Sequence, residues 1–223
     1  VRRFLTPMVP AVGDSVQLDE ATSHHLLRVT GIAPGEHVEI FDGSGATAIA
    51  DLVDVVEGSA ILRVNSRTET KASDVEVHLV IAQVRANTMD TVLRMATELG
   101  AASVQVVSAE RCVAKGDKRD RWMRILASAA AQCGRTRVPQ LMPPCSLSEA
   151  LLDREGQRLV MSPGAAIAEQ SGGTVHLLVG PEGGFSQSEL DAAEEAGWTS
   201  AGLGNTTLRA DTAAVAAMVR YGG

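Results

Sequence analysis

Aromatic side chains are scarce in this chain of 223 residues, which holds three Phe, two Trp and one Tyr. Its core must rest on Val, Leu, Ile, Ala and Met, a set that suits helices packed closely on a sheet. Cysteine is equally sparse. Cys112, Cys133 and Cys145 are odd in number and form no C-x-x-C pair, so neither a disulfide framework nor a zinc site is indicated. No run approaches the roughly 18 apolar residues of a membrane span, and the opening VRRFLTP lacks the apolar segment of a secretory signal. A cytoplasmic protein with no membrane partner and no metal is therefore expected. Excess positive charge is missing as well, since the formal net charge is −7. Its distribution matters more than its sum. Residues 111–137 hold eight Lys or Arg against two acids, Asp117 and Asp120, on an otherwise acidic chain. Such a stretch marks either a phosphate-binding face or a solvated helix face.

What is present is an ordinary globular composition, 45% apolar and 21% charged. From residue 15 to about 66 short strand-like runs (SVQLD, HVEIFDG, ATAIADLVDV, SAILRVNS) alternate with turn residues, and one helical interruption fits EATSHHLLRV. His24 and His25 lack metal-ligand companions and are read as structural or surface residues. RTETKASD (67–74) has four charges and no large apolar side chain, which predicts a linker and a boundary between domains at 1–70 and 71–223. Beyond it strands alternate with helices: VEVHLVIAQV, then NTMDTVLRMATELG with Met89, Val92, Leu93, Ala96 and Leu99 on one face and Gly100 as its left-handed stop. SVQVVSA, the helix RWMRILASAAAQC, RLVMS, VHLLVG, SQSELDAAEEAG, TSAGLG and ADTAAVAAMVRY follow. This alternation predicts an α/β fold whose mostly parallel sheet is covered on both faces. Trp122, at helical spacing with Ile125 and Leu126, is expected in the core.

The densest signal is LVGPEGGFSQSEL (178–190). Ser186 and Glu189 form a capping box and Phe185 and Leu190 a hydrophobic staple, so a helix starts near Gln187. Gly180 to Gly184 are left as a tight strand-to-helix loop that can press bare peptide groups against a ligand. A phosphate cradle fits poorly: neither G-x-x-x-x-G-K-[ST] nor G-x-G-x-x-G is present, and Glu182 would repel an anion. A neutral or cationic ligand suits the loop better. MSPGA (161–165) and LGNTTLRADTA (203–213) are loops of the same character. In an open α/β sheet, loops at the carboxyl ends of neighbouring strands converge on one crevice.

ELG (98–100), ERC (110–112), QCGRTRVP (132–139), LVGPEGGFS (178–186) and LGNTTLRADTA (203–213), in this order, resemble the ribosomal small-subunit methyltransferase E family of the SPOUT superfamily. Its members methylate N3 of a uridine in 16S rRNA. The resemblance covers essentially the whole chain, and GPEGG followed by LR-x-x-TA is its most specific part. It implies a trefoil knot in the C-terminal domain, a small β-rich PUA-like barrel before it, S-adenosylmethionine as cofactor, a 16S rRNA or 30S-subunit substrate and a homodimer. Motif by motif it places cofactor contacts on Ser162 and Pro163, on Val179, Gly180, Pro181, Glu182 and Gly183, and on Leu203, Gly204, Leu208 and Arg209.

Methylating a uracil nitrogen requires loss of its proton and leaves negative charge on the ring, so a base and a cation or N–H donors are needed. The candidates are Arg209 for charge stabilisation or carboxylate binding, and Asp211 or Glu182 as base or orienter. Arg209 and Asp211 have an alternative reading as an ion pair at a helix start. RNA phosphates are assigned to Arg2, Arg3, Arg28, Arg111, Lys115, Arg135 and Arg137. The chain departs from the family at NTMD, where basic residues are usual, at Met95 for a common Lys, at Asn205 to Thr207, and at Asp211 for a Glu. Two other classes compete. A non-catalytic RNA-binding module is opposed by the intact GPEGG and LRADTA loops, and a dinucleotide oxidoreductase lacks its glycine fingerprint.

Overall fold

The structure, a computed structural model, describes residues 1–114, 116–152 and 154–222. It forms two compact units, Val1–Ala72 with Ala130–Val138, and Ser73–Ala129 with Pro139–Gly223. The sequence boundary at residue 70 lies close to the division after Ala72, but the return of residues 130–138 to the first unit is invisible to local pattern.

In the first unit, β1 (Arg3–Leu5), β2 (Ser15–Gln17), β3 (His37–Phe41), β4 (Ala46–Val56) and β5 (Ser59–Glu69) form a sheet in the order β1-β3-β4-β5-β2. Only β1 and β3 run parallel. Period-two alternation turns Ala46, Ala48, Ala50 and Leu52 of β4 and Ala60, Leu62 and Val64 of β5 inward, where they meet Phe4, Leu18, Leu26 and Ile40. Glu57 and Gly58, both at positive φ (50° and 84°), close the β4–β5 hairpin in the two-residue geometry that matches strand twist. The short helix α1 (Glu20–His24) is capped by Asp19, which accepts from the Thr22 N–H at 2.8 Å, and continues as a π-helical turn over His25–Val29. The linker expected at 67–74 begins later than its charges suggest, because β5 keeps its ladder to Glu69.

The second unit is a parallel sheet of seven strands: β6 (Glu76–Ala82), β7 (Ser103–Ser108), β8 (Gln140–Leu141), β9 (Cys145–Ser146), β10 (Gln157–Met161), β11 (Thr174–Val179) and β12 (Thr199–Ala201). Their order is β12-β10-β11-β6-β7-β8, with β9 also on β7. The helices are α2 (Ala86–Glu98), α3 (Arg119–Cys133), α4 (Leu147–Ala150), α5 (Gln187–Glu195) and α6 (Ala210–Tyr221). On one face Val80, Ala82, Val107, Val160 and Leu178 pack with Leu147, Leu151, Ala193 and Trp198 from the α4 and α5 regions. The alternate residues Leu79, Ile81 and Leu177 turn to the other face, where α6 crosses β6 and β11 and α2 lies against α6. Each fully buried Leu or Ile there stabilises the fold by about 1.5–3 kcal/mol. Met89, Val92, Leu93 and Ala96 of α2 are buried as expected, and Gly100 stops the helix at φ 95°. Leu99 is not on that face; it is the C-cap residue and 37% exposed, because the helical period has already ended. Trp122 is buried.

Candidate functional site

Three loops leave the carboxyl ends of β10, β11 and β12. The first is tied to its neighbour by the Ser162 N–H, which donates to the Ala201 carbonyl at 3.0 Å. In the second, the Gly184 N–H closes a turn onto the Pro181 carbonyl at 2.9 Å, and Gly184 holds a φ of 68° that side chains resist. The capping box expected at its end is present: the Glu189 carboxylate accepts from the Ser186 N–H at 2.9 Å, and Ser186 caps α5. In the third loop, the Gly202 N–H donates to the Ala166 carbonyl at 2.8 Å. A Cβ at Gly202 would stand 1.9 Å from the Ala165 carbonyl oxygen, so no larger residue fits this crossing. The Tyr221 hydroxyl donates to the Gly202 carbonyl at 3.0 Å and fixes the far side.

The loops enclose a cavity of about 360 Å³, within the usual range for a small-molecule pocket. Ser162 and Pro163 from the first loop, Val179, Gly180, Pro181 and Glu182 from the second, and Leu203, Gly204, Leu208, Arg209 and Asp211 from the third all line it. Gly183, assigned to the same contacts, does not line the cavity. Its carbonyl accepts from the Arg111 guanidinium at 3.0 Å, and the Arg111 side chain packs over it. The motif reading missed Thr88 of α2, Met161, Phe185, Leu190, Thr206 and Thr207 on the walls. Thr206 and Thr207 lie inside a loop already singled out. Thr88 follows the carboxyl end of β6, the one neighbouring strand end that the convergence rule was not applied to.

The charged groups of the cavity are only partly engaged. The Glu182 carboxylate accepts from the Arg85 N–H at 3.3 Å, at the N-terminus of α2, where no side chain of that helix provides a cap. Arg209 is largely exposed and its Nε lies 3.8 Å from Asp211 Oδ1, a loose version of the helix-start pair read as an alternative from sequence. Asp211 Oδ1 also accepts from the Thr212 N–H at 2.9 Å, which leaves Oδ2 without a partner among the described residues. Apolar walls, exposed peptide groups, two carboxylates and one guanidinium suit a ligand with a flat apolar portion, a cationic centre and a carboxylate.

The residues expected to hold RNA fall into different places. Arg2 and Arg28 are exposed. Arg3 is not open to a phosphate: it pairs with Glu39 at 3.1 Å, donates to the Ala130 and Arg135 carbonyls and lies over the Phe41 ring. Arg137 donates to the Thr70 carbonyl at 3.1 Å, and Arg135 is half-buried, its guanidinium held below the ordinary value by that burial. Arg111 is exposed but engaged by Gly183. Lys115 lies outside the described residues. Among the described residues no three His, Cys, Asp or Glu side chains gather as a metal site, and no helix is long and apolar enough to cross a membrane.

Residues 71–221 match the family model described as an RNA methyltransferase domain. A curated relative, ribosomal RNA small subunit methyltransferase E of Mycobacterium tuberculosis, is 30% identical over 98% of this chain and 90% of its own length. The crystal structure of a ribosomal RNA small subunit methyltransferase E from Neisseria gonorrhoeae, bound to S-adenosyl methionine, superposes with a TM-score of 0.91 at 32% identity, covering 98% of this chain and 95% of that one. A methyltransferase structure from Legionella pneumophila with bound cofactor gives 0.90 at 28% identity over 97% and 95%.

Proposed function

We propose, from the premise that this chain belongs to the ribosomal RNA small subunit methyltransferase E family, that it methylates N3 of one specific uridine in 16S rRNA, with the 30S subunit as substrate. The chain is an S-adenosylmethionine-dependent rRNA methyltransferase. The observation that carries the finer reading is the cavity at the carboxyl ends of β10, β11 and β12, walled by main chain from three separate loops.

The residues present fit the cofactor. Val179, Leu203 and Leu208 offer apolar contact for an adenine ring, and the peptide groups of Gly180 and Gly204 can read its edge. Glu182 and Asp211 favour a cationic centre, and Arg209 a carboxylate. When bound, S-adenosylmethionine supplies an electrophilic methyl group on a positively charged sulfur. The chain's own task is to hold a uracil in line with that group and to take the proton from N3. Asp211 is the better base of the two acids, because Oδ2 has no partner among the described residues while the Glu182 carboxylate is held at the α2 N-terminus. The negative charge that then spreads toward O2 and O4 is met by Arg209.

The same reading extends to the assembly and the topology. A groove of about 700 Å³ between α2 and α6, with Met95, Val215, Ala216, the exposed Val219 and the exposed Ile167 on its walls, suits the self-complementary face of a homodimer. Met95, an apolar residue where the family commonly has Lys, extends that apolar wall. The crossing of residues 165–168 with Gly202 and Tyr221 supports a SPOUT-type trefoil knot, and the five-stranded first unit supports a PUA-like RNA-binding domain. The test is transfer of labelled methyl to 30S subunits lacking the modification, followed by mapping of the base. Label on N3 of a single uridine is expected; label on another atom or on a different RNA would replace the proposed target.

A further inference from the structure

The α2–α3 side of the second unit carries an open groove of about 630 Å³ that the assignments above leave unused. Asp90, Thr91 and Arg94 of α2 and Arg121 and Arg124 of α3 stand on its walls, three guanidinium groups against one carboxylate. Asp90 binds Arg121 in a two-pronged pair through both carboxylate oxygens, which fixes that guanidinium on the wall. Arg94 is one turn beyond Asp90 on the same face of α2. It is exposed, and among the described residues no hydrogen bond or ion pair engages its guanidinium. Among the described residues Arg124 spends only Nε, on the Asp120 carbonyl at 3.2 Å. The groove therefore presents two uncommitted cations and a third held in position.

We propose that this groove holds the phosphodiester backbone of the substrate RNA beside the target nucleotide, an inference that rests on the rRNA methyltransferase reading above. Three observations direct it there. Helix α2 joins the two places: Thr88 of its first turn lines the cofactor cavity and Thr91 of the next lines the groove. At about 1.5 Å per residue, Arg94 lies about 9 Å along the axis from Thr88, close enough for a phosphate flanking a base at the cavity. The groove also supplies what the basic stretch fails to supply elsewhere, since Arg111 and Arg137 are turned to the Gly183 and Thr70 carbonyls. Finally, guanidinium forks match phosphate oxygens in geometry as well as charge.

The experiment compares the wild-type protein with the double variant Arg94→Ala/Arg124→Ala, using a 16S rRNA fragment that contains the target and 30S subunits. Binding is measured from 50 to 300 mM salt, alongside KM and kcat for methyl transfer, cofactor affinity and sedimentation. The expected result is a reduction of the log–log salt slope by about two, a rise in KM for RNA of at least tenfold, and unchanged cofactor affinity. An unaltered slope and KM in an otherwise active protein would overturn the groove assignment while leaving the enzyme reading intact. Loss of the oligomer with RNA affinity retained would also overturn it and assign the groove to a second copy of this chain. A wild-type protein that binds RNA with the groove-dependent slope yet transfers no methyl would instead sink the enzyme reading alone.

Discussion

The two edges of the parallel sheet in the second unit treat polar groups in opposite ways. At the amino edge His78 and His176 stack with centroids 4.6 Å apart, and every ring nitrogen has a neighbour. His176 Nε2–H donates to the Glu155 carbonyl at 3.1 Å while Nδ1 accepts from Arg154 at 3.3 Å, and His78 Nδ1 shares a hydrogen bond with Ser103 at 2.7 Å. At the carboxyl edge Glu182 and Arg209 are exposed, Asp211 Oδ2 has no partner among the described residues, and glycines stand where side chains would fill the space. A closed polar cluster gives stability and position; an open one is left unsatisfied until a ligand arrives. The difference marks the carboxyl edge, independently of any motif, as the one that leaves polar groups open to a ligand.

The largest effect should come from the open edge. Arg209→Ala is expected to lower kcat by about 10²–10³-fold, the usual loss when one charge-stabilising donor is removed, with the melting temperature unchanged because the side chain is 82% exposed. A variant that retains turnover would strip Arg209 of its role. Gly202→Ala comes next. The added Cβ must displace the Ala165 carbonyl, a backbone group with nowhere to go, so a destabilisation of about 3 kcal/mol and loss of cofactor binding are expected in urea melts and calorimetry. Normal affinity in this variant would mean that the Ala165 carbonyl can yield and that the crossing does not shape the cofactor site.

The closed edge should show itself through pH. Burial, then the neighbouring His78 and Arg154, push the His176 imidazole down to about 4 from its ordinary 6.5. Between those values the unfolded chain binds a proton that the folded chain refuses, so stability falls as pH drops through 6.5 and stops falling, on this account, below about 4. With partial solvent screening the loss is on the order of 2 kcal/mol. Urea midpoints from pH 7.5 to 4.5 should slope less steeply in His176→Phe than in the wild type, whatever their absolute heights. Parallel slopes would exonerate this histidine.

How far these edges were legible beforehand depends on the range of the interaction. Ser186 and Glu189 are three residues apart and Gly100 ends its own helix, so local chemistry announced both. The three cavity loops were legible because their glycines and prolines have no role in ordinary turns of that length, and a parallel sheet aligns its strand ends. The histidine stack was not, because His78 and His176 lie 98 positions apart and meet only through the β6–β11 register. Charge counting likewise treated every Arg of the basic stretch as outward. It could not tell Arg137, turned to the Thr70 carbonyl, from Arg124, turned to the groove.

The smallest expected effect tests the boundary between the two behaviours. Glu182 belongs to the open edge by position, yet its carboxylate accepts from the Arg85 N–H and does for α2 from a distant loop what the glutamate of a capping box does from within a helix. An amide oxygen can accept the same bond. Glu182→Gln should therefore change kcat by less than about threefold and cost at most about 1 kcal/mol of stability, the usual size of a capping contribution. If Glu182 were the base that takes the uracil proton, the same substitution would cost about 10²–10⁴-fold in kcat. Asp211→Asn is the reciprocal measurement, and only one of the two variants should lose its rate. That asymmetry follows from geometry alone: of two acids on one cavity, the one already bonded to a helix end is the poorer proton acceptor.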